Sequence, residues 1–280
     1  MEAARLSFGP GPVDPPVRQC DRRHQMILTE KWGGNMTFRK KLVAGNWKMN
    51  GLREDGAALA RALADRAAAG EGHGSELLVC PPATLLSIVG GMLSGSGILL
   101  GGQDCHASAK GPHTGDISAE MLADLGCTHV IVGHSERRHG HGETDVIIRD
   151  KIAGAWRAGL VAILCVGETQ HQREKGEAIG VVATQLAESL PSGTAPERLI
   201  IAYEPVWAIG TGLTATTNDI AAMHAEIRVR IPRGTRILYG GSVNPKNAAA
   251  ILTCEDVDGA LVGGASLAAD DFWSIAMVSR

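Results

Sequence analysis

The chain reads as an α/β protein: a single (β/α)8 barrel preceded by a disordered N-terminal extension. Three observations carry that reading. From Lys41 onward, short apolar runs alternate with amphipathic or Ala-rich stretches. Eight such pairs fit within residues 37–280, about the span an eight-stranded βα barrel needs. The runs are nearly continuous in Val, Ile, Leu and Ala, as strands buried on both faces are. A doubly wound open sheet fits the same pattern, because periodicity alone does not close a sheet. No second folded domain is evident.

Residues 1–36 come first. Pro10, Pro12, Pro15 and Pro16, with Gly9 and Gly11, leave no sustained periodicity, so the segment is read as disordered. It lacks the apolar stretch of a secretory signal, and Glu2, Asp14, Asp21 and Glu30 do not suit a transit peptide. It is read as an inert extension, with Met36 a candidate functional first residue. The barrel then opens with a strand at Leu42–Gly45 and a helix near 53–69. A second strand, Leu77–Cys80, precedes a helix near 82–94. The third, Ile98–Gln103, leads into a loop, 103–117, that is long for a βα connection. A helix near 118–125 follows it. The fourth strand, His129–Val132, ends at Gly133-His134, ahead of a helix near 142–158.

The second half repeats the unit. Val161–Val166 is the fifth strand, followed by a helix near 174–190. Leu199–Glu204 is the sixth. Pro205 stops it, because proline has no N–H for the ladder. Large apolar residues (Val206, Trp207, Ile209) then give way to Gly210-Thr211-Gly212. A helix near 216–231, a strand at Ile237–Tyr239 and a helix at 245–252 come next. Asn244-Pro245 suits that helix start, since proline is tolerated at the first helical position. The eighth strand is Gly259–Val262, and the last helix lies near 265–277.

Composition narrows the function. Hydrophobic content of 44% is ample for a core, while aromatics at 4% leave Ala, Val, Ile and Leu to build it. A net charge of −3 supports neither a nucleic-acid nor a membrane partner. No apolar run reaches the ~18 residues of a membrane span. Six cysteines are scattered without a Cys-x-x-Cys, which argues against a metal or redox pair and for reduced thiols in the cytoplasm.

In such barrels chemistry sits at the C-terminal strand ends. The first end offers Asn46 and Lys48, the fourth His134 and the sixth Glu204. Gly240-Gly241-Ser242 and Gly263-Gly264 close the seventh and eighth. Glycines there let backbone N–H groups approach an anion, and a helix beginning at Gly264–Leu267 adds partial positive charge. The apolar loop after Glu204 reads either as a lid that excludes water or as an ordinary solvated turn. A cation, a histidine, a carboxylate and an anion nest at one face suit a small phosphorylated carbonyl compound. Glu204 would move a carbon-bound proton, His134 polarise a carbonyl, and Lys48 hold negative charge. The helix start beside His134 opposes protonation, so a neutral imidazole is expected.

Five stretches resemble the triosephosphate isomerase family. They are Ala44-Gly45-Asn46-Trp47-Lys48-Met49-Asn50, Gly133-His134-Ser135-Glu136-Arg137-Arg138, Ala202 through Gly212, Tyr239-Gly240-Gly241-Ser242-Val243 and Leu261-Val262-Gly263-Gly264-Ala265. The likeness runs from about Met36 to the C-terminus in the family's motif order. It implies interconversion of dihydroxyacetone phosphate and D-glyceraldehyde 3-phosphate through an enediol(ate), in glycolysis and gluconeogenesis. By motif position Glu204 is the base and His134 the electrophile. Asn46 and Lys48 flank the reacting oxygen and phosphate. Gly210, Ser242, Gly263 and Gly264 donate N–H groups to the phosphate. Glu136 matches a carboxylate near the site and Cys165 a buried strand cysteine. No metal, nucleotide or organic cofactor is implied. The resemblance also implies a homodimer in which loop 103–117 sets Thr114 near the neighbour's Asn46 and Lys48. Leu213, in place of a common lysine, and Gly111-Pro112-His113-Thr114-Gly115-Asp116, in place of Gly-Ala-Phe/Tyr-Thr-Gly-Glu, depart from the family pattern.

The rival readings are an isomerase of a four-carbon ketose phosphate, an aldolase using Lys48 as a Schiff base, and a non-catalytic binding protein that kept the fold. Retention of Glu204, His134 and Lys48 together argues against the last.

Overall fold

The structure is a computed structural model that describes residues 39–70, 74–209 and 214–278. The extension expected over 1–36 lies outside these residues, as do Gly210 and Leu213. In chain order the elements are β1 (Leu42–Asn46), α1 (Arg53–Ala68), β2 (Glu76–Cys80), α2 (Leu86–Leu93) and β3 (Leu99–Gly102). Then come α3 (Ala119–Asp124), β4 (His129–Val132), α4 (Ser135–Gly140), α5 (Asp145–Arg157) and β5 (Val161–Val166). The rest are α6 (Gln170–Glu174), α7 (Ala178–Ser189), β6 (Leu199–Tyr203), α8 (Thr217–Arg228), β7 (Arg236–Tyr239), α9 (Ala248–Leu252), β8 (Gly259–Val262) and α10 (Ala269–Met277). The eight strands form one closed parallel barrel, in sequence order. Closure is made by β1 against β8, with Leu42 opposite Gly259 and Gly45 opposite Val262. The open-sheet alternative is thereby excluded.

Alternation along each strand sorts the core into two clusters. Leu42 and Ala44, Leu78 and Cys80, Ile163 and Cys165, and Ile200 and Ala202 fill the barrel interior. Their neighbours Val43, Val79, Leu164 and Ile201 face outward and pack with the helices. Both faces are buried, so the strands are apolar except at their ends, where Asn46, Glu76, His129 and Arg236 stand. Carried two residues further, the same period of two points Asn46, Gly167, Glu204, Gly240 and Gly263 toward the upper mouth.

Helix boundaries depart from expectation where local polar groups intervene. The helix expected near 142–158 begins at Asp145, because the Thr144 hydroxyl accepts the Ile147 N–H and caps it. The stretch near 174–190 breaks into α6 and α7 at Gly176, whose φ of 75° a continuous helix does not allow. Proline does not open α9. Asn247 Oδ1 accepts the Asn244 N–H at 2.8 Å and holds residues 245–247 as a turn, so the helix starts at Ala248. A short 3-10 turn, Gly264–Leu267, stands where the last helix was expected to begin.

Candidate active site

The sixth strand delivers Glu204 one residue past its last ladder position. Its N–H still donates to Val166 C=O at 2.8 Å. The side chain is 2% exposed and makes two contacts. Oε1 meets His134 Nε2 at 2.9 Å, and Oε2 accepts the Ser135 N–H at 3.0 Å. His134 arrives from β4 through Gly133, whose φ of 68° turns the chain sharply, and a Cβ there would meet Ile148 at 2.9 Å. The ring caps α4, with Nδ1 accepting the Glu136 N–H at 3.2 Å. That bond leaves the proton of a neutral ring on Nε2, aimed at Glu204.

Lys48 sits on the opposite lip. Its backbone adopts φ of 54°, a left-handed value uncommon outside glycine. Asn46 Oδ1 accepts the Lys48 N–H at 3.0 Å. Gln103 Nε2 donates both to Lys48 C=O at 2.9 Å and to Cys80 C=O at 2.8 Å. These bonds offset the strain and aim the ammonium at the mouth, where it pairs with Glu136 at 2.6 Å.

Asn46, Lys48, His134 and Glu204 line one cavity of about 360 Å³ together with Gly240, Gly241, Ser242, Gly263 and Gly264. Asn247 Nδ2 braces Ser242 C=O at 3.0 Å. Gly210 lies outside the described residues, but Ile209 before it lines the cavity. Trp207 Nε1 donates to Glu168 at 2.8 Å, and the Tyr203 hydroxyl contacts the same buried carboxylate at 3.2 Å. The apolar segment after Pro205 is thus pinned at its root.

Electrostatics couple the two central groups. Burial alone would push the Glu204 carboxyl up, but His134, the Ser135 N–H and Lys48 hold it below the usual range. Burial pushes His134 down, yet the Glu204 carboxylate outweighs it and raises the ring. The carboxylate contact therefore works against the helix start, from which a neutral imidazole is expected. Cys165 is fully buried beside Glu204, and burial drives its thiol well up, so it stays uncharged.

Sequence reasoning missed Gln103 and Glu168. Gln103 ends the third expected strand, so the strand-end rule pointed toward it. Glu168 follows β5 and carried no motif signal. Loop 103–117 also gathers His106, His113 and Asp116, whose ligating atoms lie within 4.8 Å of one another. His106 Nδ1 already accepts the Ser108 N–H at 3.0 Å, which leaves the neutral ring's proton on Nε2 and no lone pair there for a cation.

Residues 41–279 match the family model described as triosephosphate isomerase. The chain is 54% identical over 249 residues to a triosephosphate isomerase of Afipia carboxidovorans, covering 85% of this chain and 96% of that one. It is 55% identical over 251 residues to one from a Bradyrhizobium species, covering 86% and 99%. The crystal structure of triosephosphate isomerase from Bartonella henselae superposes with a TM-score of 0.78 at 48% identity, covering 86% of this chain and 99% of that one.

Proposed function

This chain belongs to the triosephosphate isomerase family, and on that premise we propose that Glu204, His134, Lys48 and Asn46 carry the family's reaction in the cavity described above. The enzyme is an isomerase that interconverts dihydroxyacetone phosphate and D-glyceraldehyde 3-phosphate. Glu204 takes a proton from the carbon beside the carbonyl. The C–H electron pair becomes the carbon–carbon double bond of the enediolate, and the carbonyl π pair moves onto oxygen. His134 Nε2–H and Lys48 hold that oxygen, with Asn46 beside them. The proton returns to the neighbouring carbon, while the oxygens exchange theirs through His134. Backbone N–H groups of Ser242, Gly263 and Gly264 seat the phosphate, and Gly210 is assigned to the same group by its motif position. The observation that carries the assignment is the Glu204–His134 contact of 2.9 Å, facing that glycine wall across one cavity. A coupled assay tests it: dihydroxyacetone phosphate turns over, and a four-carbon ketose phosphate does not.

A homodimer through loop 103–117 belongs to the same proposal. The loop's root is anchored: His106 N–H donates to Ile117 C=O at 2.8 Å, and Arg157 holds Ala107 C=O at 3.0 Å. Its tip at Thr114 is exposed, as are Met49 (94%) and Leu52 (78%) beside the first strand end. Deleting Ala107–Lys110 and replacing Thr114 should give a monomer of much lower kcat by light scattering and kinetics. A fully active monomer would remove the loop's role. Cytoplasmic residence is proposed from the free thiols of Cys80, Cys105, Cys127, Cys165 and Cys254, which suit a reducing compartment. Among the described residues no helix is long and apolar enough to cross a membrane.

A further inference from the structure

Gln185 lies on α7, in the outer layer of helices, yet its side-chain amide makes two hydrogen bonds to one backbone residue inside that layer. Oε1 accepts the Gly167 N–H at 2.8 Å, and Nε2 donates to Gly167 C=O at 3.1 Å. An amide side chain thus stands where a neighbouring strand would pair. Gly167 is the first residue past β5. Its α-carbon lies so close to the base that a Cβ built there would fall 1.7 Å from the Glu204 carbonyl oxygen and 3.3 Å from the Glu204 Cα. The Gly167 backbone is therefore the wall against which the Glu204 main chain rests. The residues on either side complete the support. Val166 C=O accepts the Glu204 N–H at 2.8 Å, and Glu168 C=O accepts the Val206 N–H at 3.1 Å.

We propose that Gln185 is a positioning residue for catalysis, fixing the Gly167 peptide so that Glu204 keeps its place against His134 and the Ser135 N–H. The proposal rests on the assignment of Glu204 as base. Gln185 touches neither substrate nor the reacting atoms. The phosphate wall comes from the ends of β7 and β8, which Gln185 does not contact. Its loss therefore acts on the proton-transfer geometry and spares substrate binding. Displacements of about 1 Å at a reacting group cost on the order of 10²-fold in rate.

The test compares three variants with the parent enzyme in the coupled assay. Gln185→Met keeps the length and removes both hydrogen bonds. Gln185→Glu keeps the acceptor for Gly167 N–H and, when ionised, loses the donor to Gly167 C=O. Glu204→Gln removes the base itself. Gln185→Met is expected to lower kcat roughly 10- to 100-fold with KM within about twofold. Its kcat/KM profile should show the acid limb moved to higher pH, because a displaced Glu204 loses the Ser135 N–H that holds its carboxyl down. Gln185→Glu should lie between it and the parent at neutral pH, and serves alone if the Met variant does not accumulate folded. A folded Gln185 variant with a lower Tm but parental kcat and acid limb overturns the proposal and leaves Glu204 as base. An active Glu204→Gln overturns the assignment beneath it.

Discussion

The two mouths of the barrel both carry charge, and they differ in how that charge is held. At the lower mouth, the inward positions of β2, β4 and β7 below Leu78, Ile131 and Leu238 are Glu76, His129 and Arg236. Glu76 and Arg236 pair with each other. Below β8, Asp258 is held by Arg228, by Arg39 at 2.8 Å and by the Ile237 N–H at 2.9 Å. Every partner there is a fixed group of the chain. At the upper mouth, the positions that continue the same alternation are largely glycine: Gly167, Gly240 and Gly263. Glu204 and His134 meet only where that space opens into a cavity. Charge at a strand end does not by itself mark a site. Small residues around a charge do, because they leave a ligand room to come between the partners.

The largest effect that tests this contrast is Glu204→Gln. It should lower kcat by at least ~10²–10⁴, the contribution of a positioned general base. The fold should persist with an unfolding midpoint lowered by only a few degrees, because the Gln amide offers one acceptor where His134 Nε2–H and the Ser135 N–H both donate. Near-normal turnover would make the upper pair structural, like the lower ones.

At the lower mouth the converse is expected. Asp258→Ala removes one of the two carboxylates that hold Arg228 and Arg39 and leaves the Ile237 N–H without its acceptor, while Asp256 stays beside both guanidinium groups. The cost is about 3 kcal/mol at most, the low end for breaking a buried pair, because Arg39 is partly exposed and Asp256 still pairs with Arg228. Urea unfolding measures it. The kcat of the folded fraction should not move. A loss of kcat at 25 °C with unchanged stability would reverse the assignment of the two mouths.

The contrast was only half legible in the sequence. Strand positions were legible because runs such as Val161–Val166 and Leu199–Tyr203 have no polar face to obscure them. Strand ends then led to Asn46, Lys48, His134 and Glu204. Closure was not legible, because the β1–β8 register joins residues far apart in the chain. Nor were the roles of Gln103, Glu168 and Gln185, although Gln103 stood at an expected strand end. Each acts on a backbone group or an indole that becomes its neighbour only once the barrel has formed. The left-handed Lys48 was not legible either, since a nearby asparagine alone does not fix that conformation over an extended one. It is imposed by Asn46 from within the strand and by Gln103 from the end of β3, two strands away.

Acid separates the mouths by the sign of a histidine shift. Burial lowers His129 to about 4, and also His224, which sits against the Asp256 carbonyl, to about 4. Unfolded, both return to about 6.5. Between these values the unfolded chain binds more protons, so stability rises with pH there. The contribution is complete above about 6.5 and is lost as pH falls toward 4, with each histidine costing about 2 kcal/mol by pH 5. His134 is raised, so its share runs the other way: present below 6.5 and lost as pH rises through its folded value. Urea unfolding at pH 5 and 7 reads the sum. His224→Gln should flatten the acid slope, and an unchanged slope would remove His224 as a source.

The smallest effect is also the sharpest test, because it asks whether the upper pair can be separated. In the ligand-free pocket the Glu204 carboxylate raises His134 against burial. A bound phosphate ester whose oxygen takes the His134 Nε2–H displaces that carboxylate. What then opposes a second ring proton is burial, Lys48, the Glu136 N–H on Nδ1 and the start of α4, against the single pull of the Glu136 carboxylate 3.6 Å from Nδ1. The ring should therefore titrate above 6.5 when free and stay neutral, with its proton on Nε2, once a substrate analogue is bound. Nitrogen NMR of the labelled imidazole, with and without the analogue from pH 6 to 9, distinguishes the states. His129 and His224, with nothing to displace, should give the same signals in both. An imidazolium at His134 in the complex would mean that Glu204 stays in contact with the ring and is not released to take a proton. A shift at His129 would mean that the lower mouth also responds to the ligand.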